Sequence, residues 1–278
     1  MKTTNENIPL SLKVICYAIL LGLSLVIVFP FLWLLLSTFK SSYEIISGTN
    51  FFPKKWTFDN YVTILTEIPM LSFFKNSVFV SVLATLGGVF ASAMSAFVFA
   101  KLQFKGRETL FAMVLVVMMI PSVVTMIPLF IIIKTVGLMD SLWALILPSW
   151  TGSAFGVFFL RQHMMAVPDA LYESAKLEGC SPFRIFISIF LPLVKAALAT
   201  LVVLNFIAHW NDLISPLIYL NSPEKMTITV GISYFRGQYV TNYPVVLAGI
   251  FLSLIPTASV FLFAQKYLTK GMLISGLK

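Results

Sequence analysis

Long stretches of this chain carry no Lys, Arg, Asp or Glu. The runs 14–39, 76–100, 109–133, 141–160 and 237–265 are free of charge and rich in Leu, Ile, Val, Phe, Met and Ala. A helix that crosses a bilayer needs about 20 predominantly apolar residues, so each run predicts one transmembrane helix. A sixth run, 196–211, is short because Lys195 and Asp212 bracket it. A helix that starts near Ile189 supplies the missing length and lets the Lys195 ammonium reach the surface along its aliphatic stem. The pattern therefore predicts an all-α, polytopic membrane protein of six transmembrane helices. Composition agrees: 59% of residues are hydrophobic and 11% charged, against about 25% charged in soluble domains. The first run is 26 residues long, ends in Phe39 and is followed by Lys40. A cleaved signal has an apolar region of only about 7–15 residues ending in small residues, so this run reads as a retained span.

The polar positions set organisation and topology. Residues 1–13 form a polar start, and 40–75 the longest segment between spans. In that segment Phe51-Phe52-Pro53 and Trp56 suit the membrane interface, where aromatic rings are enriched. A basic turn runs from Lys101 to Glu108, a polar island covers 161–195, and 212–236 reads as a second outer loop with Asn221-Ser222-Pro223 as its turn. The chain divides into 1–75, 76–270 and a tail 271–278, with no repeat and no separating linker. Cytoplasmic loops carry an excess of Lys and Arg. With the N-terminus inside, 12 of the 19 basic residues fall inside and 7 outside. Both termini and the 161–195 loop are thus expected on the cytoplasmic side. The net charge of +8 reads as topology and attraction to anionic lipid, with no nucleic-acid partner. Pro30, Pro121, Pro128 and Pro148 lie inside apolar runs. They predict kinks or breaks whose freed carbonyls must face protein or a wet cavity. Cys16 and Cys180 fall in different compartments of this topology, so no disulfide framework follows.

The island holds the strongest local punctuation. Pro168 suits the first turn of a helix, and Asp169 and Glu173 place carboxylates near its positive end. Gly179 offers a left-handed stop, and Ser181-Pro182 reads as an N-cap followed by proline at the first helical position. The expectation is a short helix at about 168–177, a tight turn, and a second helix from about 182 that enters the bilayer near Pro192. Two readings fit these residues: an ordinary amphipathic surface loop, or a mechanical docking element joined rigidly to membrane helices.

Glu173, Ser174, Ala175, Gly179, Ile189, Leu191 and Pro192 resemble the EAA loop of bacterial ABC importer permeases, E-A-A-x-x-x-G-x(9)-I-x-L-P. Ser174 stands where alanine is usual. Pro53 to Tyr61, Asn76 to Gly106, Met118 to Pro128, Trp210 to Leu213 and Gln265 to Lys278 extend the resemblance to the carbohydrate-importer, maltose-permease-G-like branch. The resemblance implies a type I ABC importer permease core formed by helices two to six, with the first helix wrapped around a partner. It implies that the seven loop residues couple the chain to an ATPase, whose nucleotide-driven closure moves the loop helix as a lever. It further implies a second, non-identical permease, two ATPase subunits that bind ATP and Mg, an extracytoplasmic solute-binding protein, and residence as a multi-pass protein of the bacterial cytoplasmic membrane. The solute is then a carbohydrate, an oligosaccharide or similar polyol.

The chain has no G-x-x-x-x-G-K-[ST] phosphate loop, no H-E-x-x-H and no C-x-x-C, and only His163 and His209 as histidines. No cofactor, metal site or catalytic constellation is expected in it. Asn205, His209, Trp210, Asn211 and Asp212 gather at one end of the fifth helix. Polar groups at membrane depth often line a pathway; the structural alternative makes Trp210 an interface anchor and Asp212 a helix-end charge. Thr125, Ser149, Trp150, Thr151 and Ser153 read as interhelical hydrogen-bonding groups, and Gly152-x-x-x-Gly156 and Ser92-x-x-x-Ala96 as close helix packing. An ion-coupled carrier acting as a homodimer is the rival function, but its buried carboxylates near the midplane are missing from the spans.

Overall fold

Charge-free runs become helices, and half of them break. The computed structural model describes residues 9–48, 50–238 and 242–273. The first eight residues of the polar start and the last five of the tail lie outside that set. Helix α1 (Leu10–Ser37) runs through Pro30 and is followed by α2 (Ser42–Ser47) and α3 (Asp59–Thr66). The long α4 (Met70–Lys101) begins six residues before the charge-free run does. Then come α5 (Arg107–Val117), α6 (Ser122–Thr135), α7 (Trp143–Ile146), a 3-10 turn Leu147–Thr151, and α8 (Ala154–Met165). Next are α9 (Asp169–Leu177), α10 (Pro182–Ile185), a π-helical turn Phe186–Phe190 and α11 (Leu191–Leu193). The chain ends through α12 (Lys195–Trp210), α13 (Ile214–Tyr219), a 3-10 turn Pro223–Lys225, α14 (Ile228–Gln238) and α15 (Tyr243–Leu273).

Among the described residues three helices are long and apolar enough to cross a membrane unbroken, and three bent pairs bring the number to six where each pair counts as one span. Each bend has a local cause. The α5–α6 pair turns by 99° at Pro121, which lacks the N–H that would continue the ladder and stands as N-cap of α6. The turn into α8 bends by 40° at Gly152, whose φ is +79°, and Ser153 caps the new helix by accepting the Gly156 N–H. Between the Pro182–Leu193 stretch and α12 the bend is 84°. There the π-helical turn stands just before Pro192. The fifth crossing, counted as one span, is this bent pair, so the length expected from Ile189 onward is present but set off from α12 by the bend before Lys195. The 212–236 segment, expected as loop, is largely helical, built of α13, the 3-10 turn and most of α14.

The chain separates into two compact units, one of Met1–Ile68 with Phe235–Leu252, the other of Pro69–Tyr234 with Ser253–Lys278. In the first, Phe39 packs on Trp56, Phe58 and Tyr61, and the buried Asn60 amide donates to the Thr38 and Lys40 carbonyls. The middle of α1 buries nothing. In the second, α4 is the central post. Val89, Ala93, Ala96 and Phe97 of α4 meet Leu160 and Met164 of α8, Ala175 of α9, Phe186 and Phe190, and Ala197 and Leu201 of α12. A second cluster joins Val80, Ile133, Ala144, Ile146 and Tyr219.

Small residues let the broken fourth span approach α4, as the sequence suggested. A Cβ on Gly88 would lie 2.8 Å from the Ser149 carbonyl, and one on Gly156 would lie 2.8 Å from the Ser92 hydroxyl. That hydroxyl also accepts the Ser153 N–H at 3.0 Å. The hydroxyls expected to bridge helices mostly do not. Thr125, Ser149 and Thr151 bond carbonyls of their own turn, because a carbonyl three or four residues back is always within reach. Trp150 does bridge, donating its indole N–H to the Leu83 carbonyl at 2.9 Å.

Candidate functional site

The polar island folds into the helix–turn–helix that its punctuation predicts. Helix α9 spans nine residues with Asp169 in its first turn and Lys176 in its last, both favourable to the helix dipole. Pro168 stands one place earlier than expected, as N-cap. At the far end Gly179 takes φ +79°, its N–H bonding the Lys176 carbonyl while the Cys180 N–H bonds the Ala175 carbonyl. These two bonds form a Schellman stop, which demands a left-handed residue after the cap. Ser181 then accepts the Arg184 N–H at 3.3 Å and Pro182 opens the next helix.

One face of α9 is fixed and the other is bare. Ala175 is 7% exposed within the main core cluster, and Tyr172 packs on the Phe97 ring. On the opposite side Glu173, Ser174, Glu178 and Gly179 are exposed, and Leu177 is 90% exposed. Leu171, Ser174 and Leu177 recur at helical spacing along that side. Of the other expected coupling residues, Ile189 and Leu191 are partly buried against the core and Pro192 is exposed. Ala175, Ile189 and Leu191 therefore seat the loop, while Glu173, Ser174 and Gly179 present a surface.

Two buried cations anchor this end of the bundle. Lys101, the last residue of α4, has a side chain 2% exposed. Its ammonium bonds the Val167 carbonyl at 2.7 Å, pairs with Asp169 and lies 5.5 Å above the Phe190 ring. Arg161 grips both Glu108 oxygens at 3.1 Å, bonds the Phe99 carbonyl, and stacks 3.9 Å from the Phe111 ring. By their place in the sequence both read only as topological charge. Their signal was position, since each directly abuts a long charge-free run.

The five polar residues around the end of α12 do not form one site. Trp210 is 1% exposed, stacked on Phe206 and edge-on to Phe74, with its indole N–H on the Ser253 carbonyl. It is a core residue and neither lines a pathway nor anchors at an interface. Asn211 is exposed and donates to the Ile207 carbonyl, and Asn205 donates to Leu201, both within their own helix. His209 and Asp212 line a cleft of about 250 Å³ with Ser149, Ser215 and Tyr219. Asp212 also accepts the Ile214 and Ser215 N–H groups at the start of α13.

Asp140 closes the loops beside that cleft, another feature the sequence did not reveal. It is the one non-glycine residue with positive φ, +56°, among the described residues. Its carboxylate accepts from the Asn221 and Ser222 N–H groups, the Ser222 hydroxyl and the Lys225 ammonium. Those donors hold its pKa well below the ordinary carboxylate range, the Ser222 hydroxyl foremost.

Residues 84–273 match the family described as the binding-protein-dependent transport system inner membrane component. The chain is 36% identical over 260 residues to the arabinooligosaccharides transport system permease protein AraQ of Bacillus subtilis, covering 92% of each chain. It is 30% identical over 273 residues to the lactose transport system permease protein LacG of Rhizobium radiobacter, covering 98% of each. Its fold is similar to a chain in the crystal structure of a bacterial ABC transporter involved in alginate import. That match has a TM-score of 0.82 at 24% identity, over 95% of this chain and 99% of the other. The family match over residues 84–273 and these relatives show that the chain belongs to the family of inner membrane components of binding-protein-dependent transport systems.

Proposed function

We propose that this chain is one of two different transmembrane subunits of an ATP-driven importer of oligosaccharides, and that α9 is its coupling helix. The carrying observation is the division of α9 into a seated face, Tyr172 and Ala175, and a bare face ending in Leu177. Leu171 and Leu177 expose apolar surface along the bare face, beside the exposed Glu173 and Ser174, and such a face suits entry into a partner's cleft. Two ATPase subunits supply that cleft, and ATP and Mg bind there and not in this chain. An extracytoplasmic binding protein delivers the solute. The names of AraQ and LacG support an oligosaccharide class. Both termini and the α9 loop face the cytoplasm, as the Lys and Arg distribution supports. The uncovered α1 suits contact with lipid or with the second permease. His209 stands as the pathway residue, in the cleft with Asp212, Ser215 and Tyr219, and Asn205 lies one turn away on the same helix face.

The test is reconstitution of the chain with its companion permease, a candidate ATPase and a binding protein, against a panel of sugars. Sugar-stimulated hydrolysis that Gly179→Asp abolishes is the expected result. Failure to associate with any ATPase, with ion-dependent uptake by this chain alone, refutes the proposal and favours the homodimeric carrier.

A further inference from the structure

The contacts of Lys101 reach beyond anchoring a loop. Only three residues, 166–168, join α8 to α9, and the Lys101 ammonium bonds the carbonyl of one of them and the carboxylate of the first residue of α9. It therefore fixes both where α9 starts and the direction it takes. The partners suit one another electrostatically, with a cation at the C-terminal end of α4 and an anion at the N-terminal end of α9. The ammonium is out of water while Asp169 is 78% exposed, so the link is firm at α4 and open to the surface at α9. Tyr172 against Phe97 and Ala175 in the core make the same connection one and two turns further on.

The far end of α4 is tied as firmly. The Asn76 amide donates to the Glu224 and Met226 carbonyls at 2.9 and 3.0 Å, and the Ser77 hydroxyl accepts the Ile228 N–H at 2.7 Å. Within that segment Lys225 closes on Asp140. From Asn76 to Lys101 the helix runs about 38 Å at 1.5 Å per residue, unbroken, while its neighbours in the second unit bend.

We propose that Lys101 is a positioning residue for coupling. It clamps the start of α9 to α4, so that movement of α9 is carried along α4 to the 221–228 segment and not absorbed in the 166–168 link. This rests on the reading of α9 as the coupling helix. The clamp passes through charge and hydrogen bonds, so removing it loosens transmission while leaving the Ala175 and Phe97 packing in place.

The experiment uses the full reconstituted complex and reads solute taken up per ATP hydrolysed, at equal amounts of assembled complex. Lys101→Met and Asp169→Asn each lower that ratio by at least about fivefold, equivalent to about 1 kcal/mol. Asp169→Glu, which keeps the charge and can still reach the ammonium, recovers most of what Asp169→Asn loses. A merely structural role lowers abundance and leaves the ratio unchanged, because uptake and hydrolysis fall together. A wild-type ratio in Lys101→Met overturns the proposal. If Lys101→Met does not assemble, the exposed Asp169→Asn decides, and a wild-type ratio there overturns it equally. A wild-type complex without solute-stimulated hydrolysis refutes the coupling-helix reading itself, a result distinct from normal coupling in the variants.

Discussion

Gly179→Asp separates folding from coupling, and the structure fixes how much each should change. Gly179 has φ +79°, and a Cβ built on it meets nothing within 4 Å. The substitution therefore brings no clash, only the penalty of a side chain in the left-handed region, about 1 kcal/mol. Asp tolerates that region better than most residues. Against a stability of about 5–15 kcal/mol the loss is small, worth about 2–4 °C of melting temperature in a chain of this size. The aspartate does place a third carboxylate beside Glu173 and Glu178 on the bare face of α9. Coupling through the docked partner should fail while the fold survives. Purified complex is followed by thermal unfolding, ATPase rate and uptake, with Gly179→Ala as the control for backbone strain alone. Abundance should rank wild type, then Gly179→Asp, then Gly179→Ala, while uptake per ATP collapses only for Gly179→Asp. Wild-type uptake in Gly179→Asp refutes the docking role, and loss of the fold refutes the steric argument.

Leu177→Asp removes the exposed apolar group of α9 without disturbing any packed neighbour. It should leave insertion and melting temperature within about 1 kcal/mol of wild type but weaken ATPase co-purification at least tenfold; equal retention of the ATPase counts against the docking surface. Gly87→Ala would set a Cβ 2.0 Å from the Trp150 ring. The overpacking should cost about 1–3 kcal/mol, whereas Gly22→Ala, with open space around it, should be neutral or slightly stabilising, and scanning fluorimetry compares them. Asp140 has a depressed pKa in the fold, so its contribution is fully present above the ordinary carboxylate value of about 3.9 and is lost as pH falls below that toward the folded value. The stability difference between wild type and Asp140→Asn should thus be constant from pH 5 to 8 and shrink only in stronger acid; a difference that changes between pH 5 and 8 contradicts the clasp.

What the sequence determined by itself was local. Runs without charge located the spans, because lipid tolerates so few charges that their absence is informative at any fold. The α9 turn was legible to the residue, since Gly179 and Ser181-Pro182 act through bonds between near neighbours in the chain. Pro121 announced a break, though not its 99° angle. Tertiary structure decided the rest. Lys101 meets Asp169 across 68 residues, and Asp140 meets Ser222 across 82. No local pattern encodes such partners. Trp210 was placed wrongly for a related reason. Lipid and protein interior are both apolar, so hydrophobic periodicity along a membrane helix does not reveal which face turns inward. Only the packing of Trp210 on Phe74 and Phe206, with Ser253 receiving its N–H, settles that.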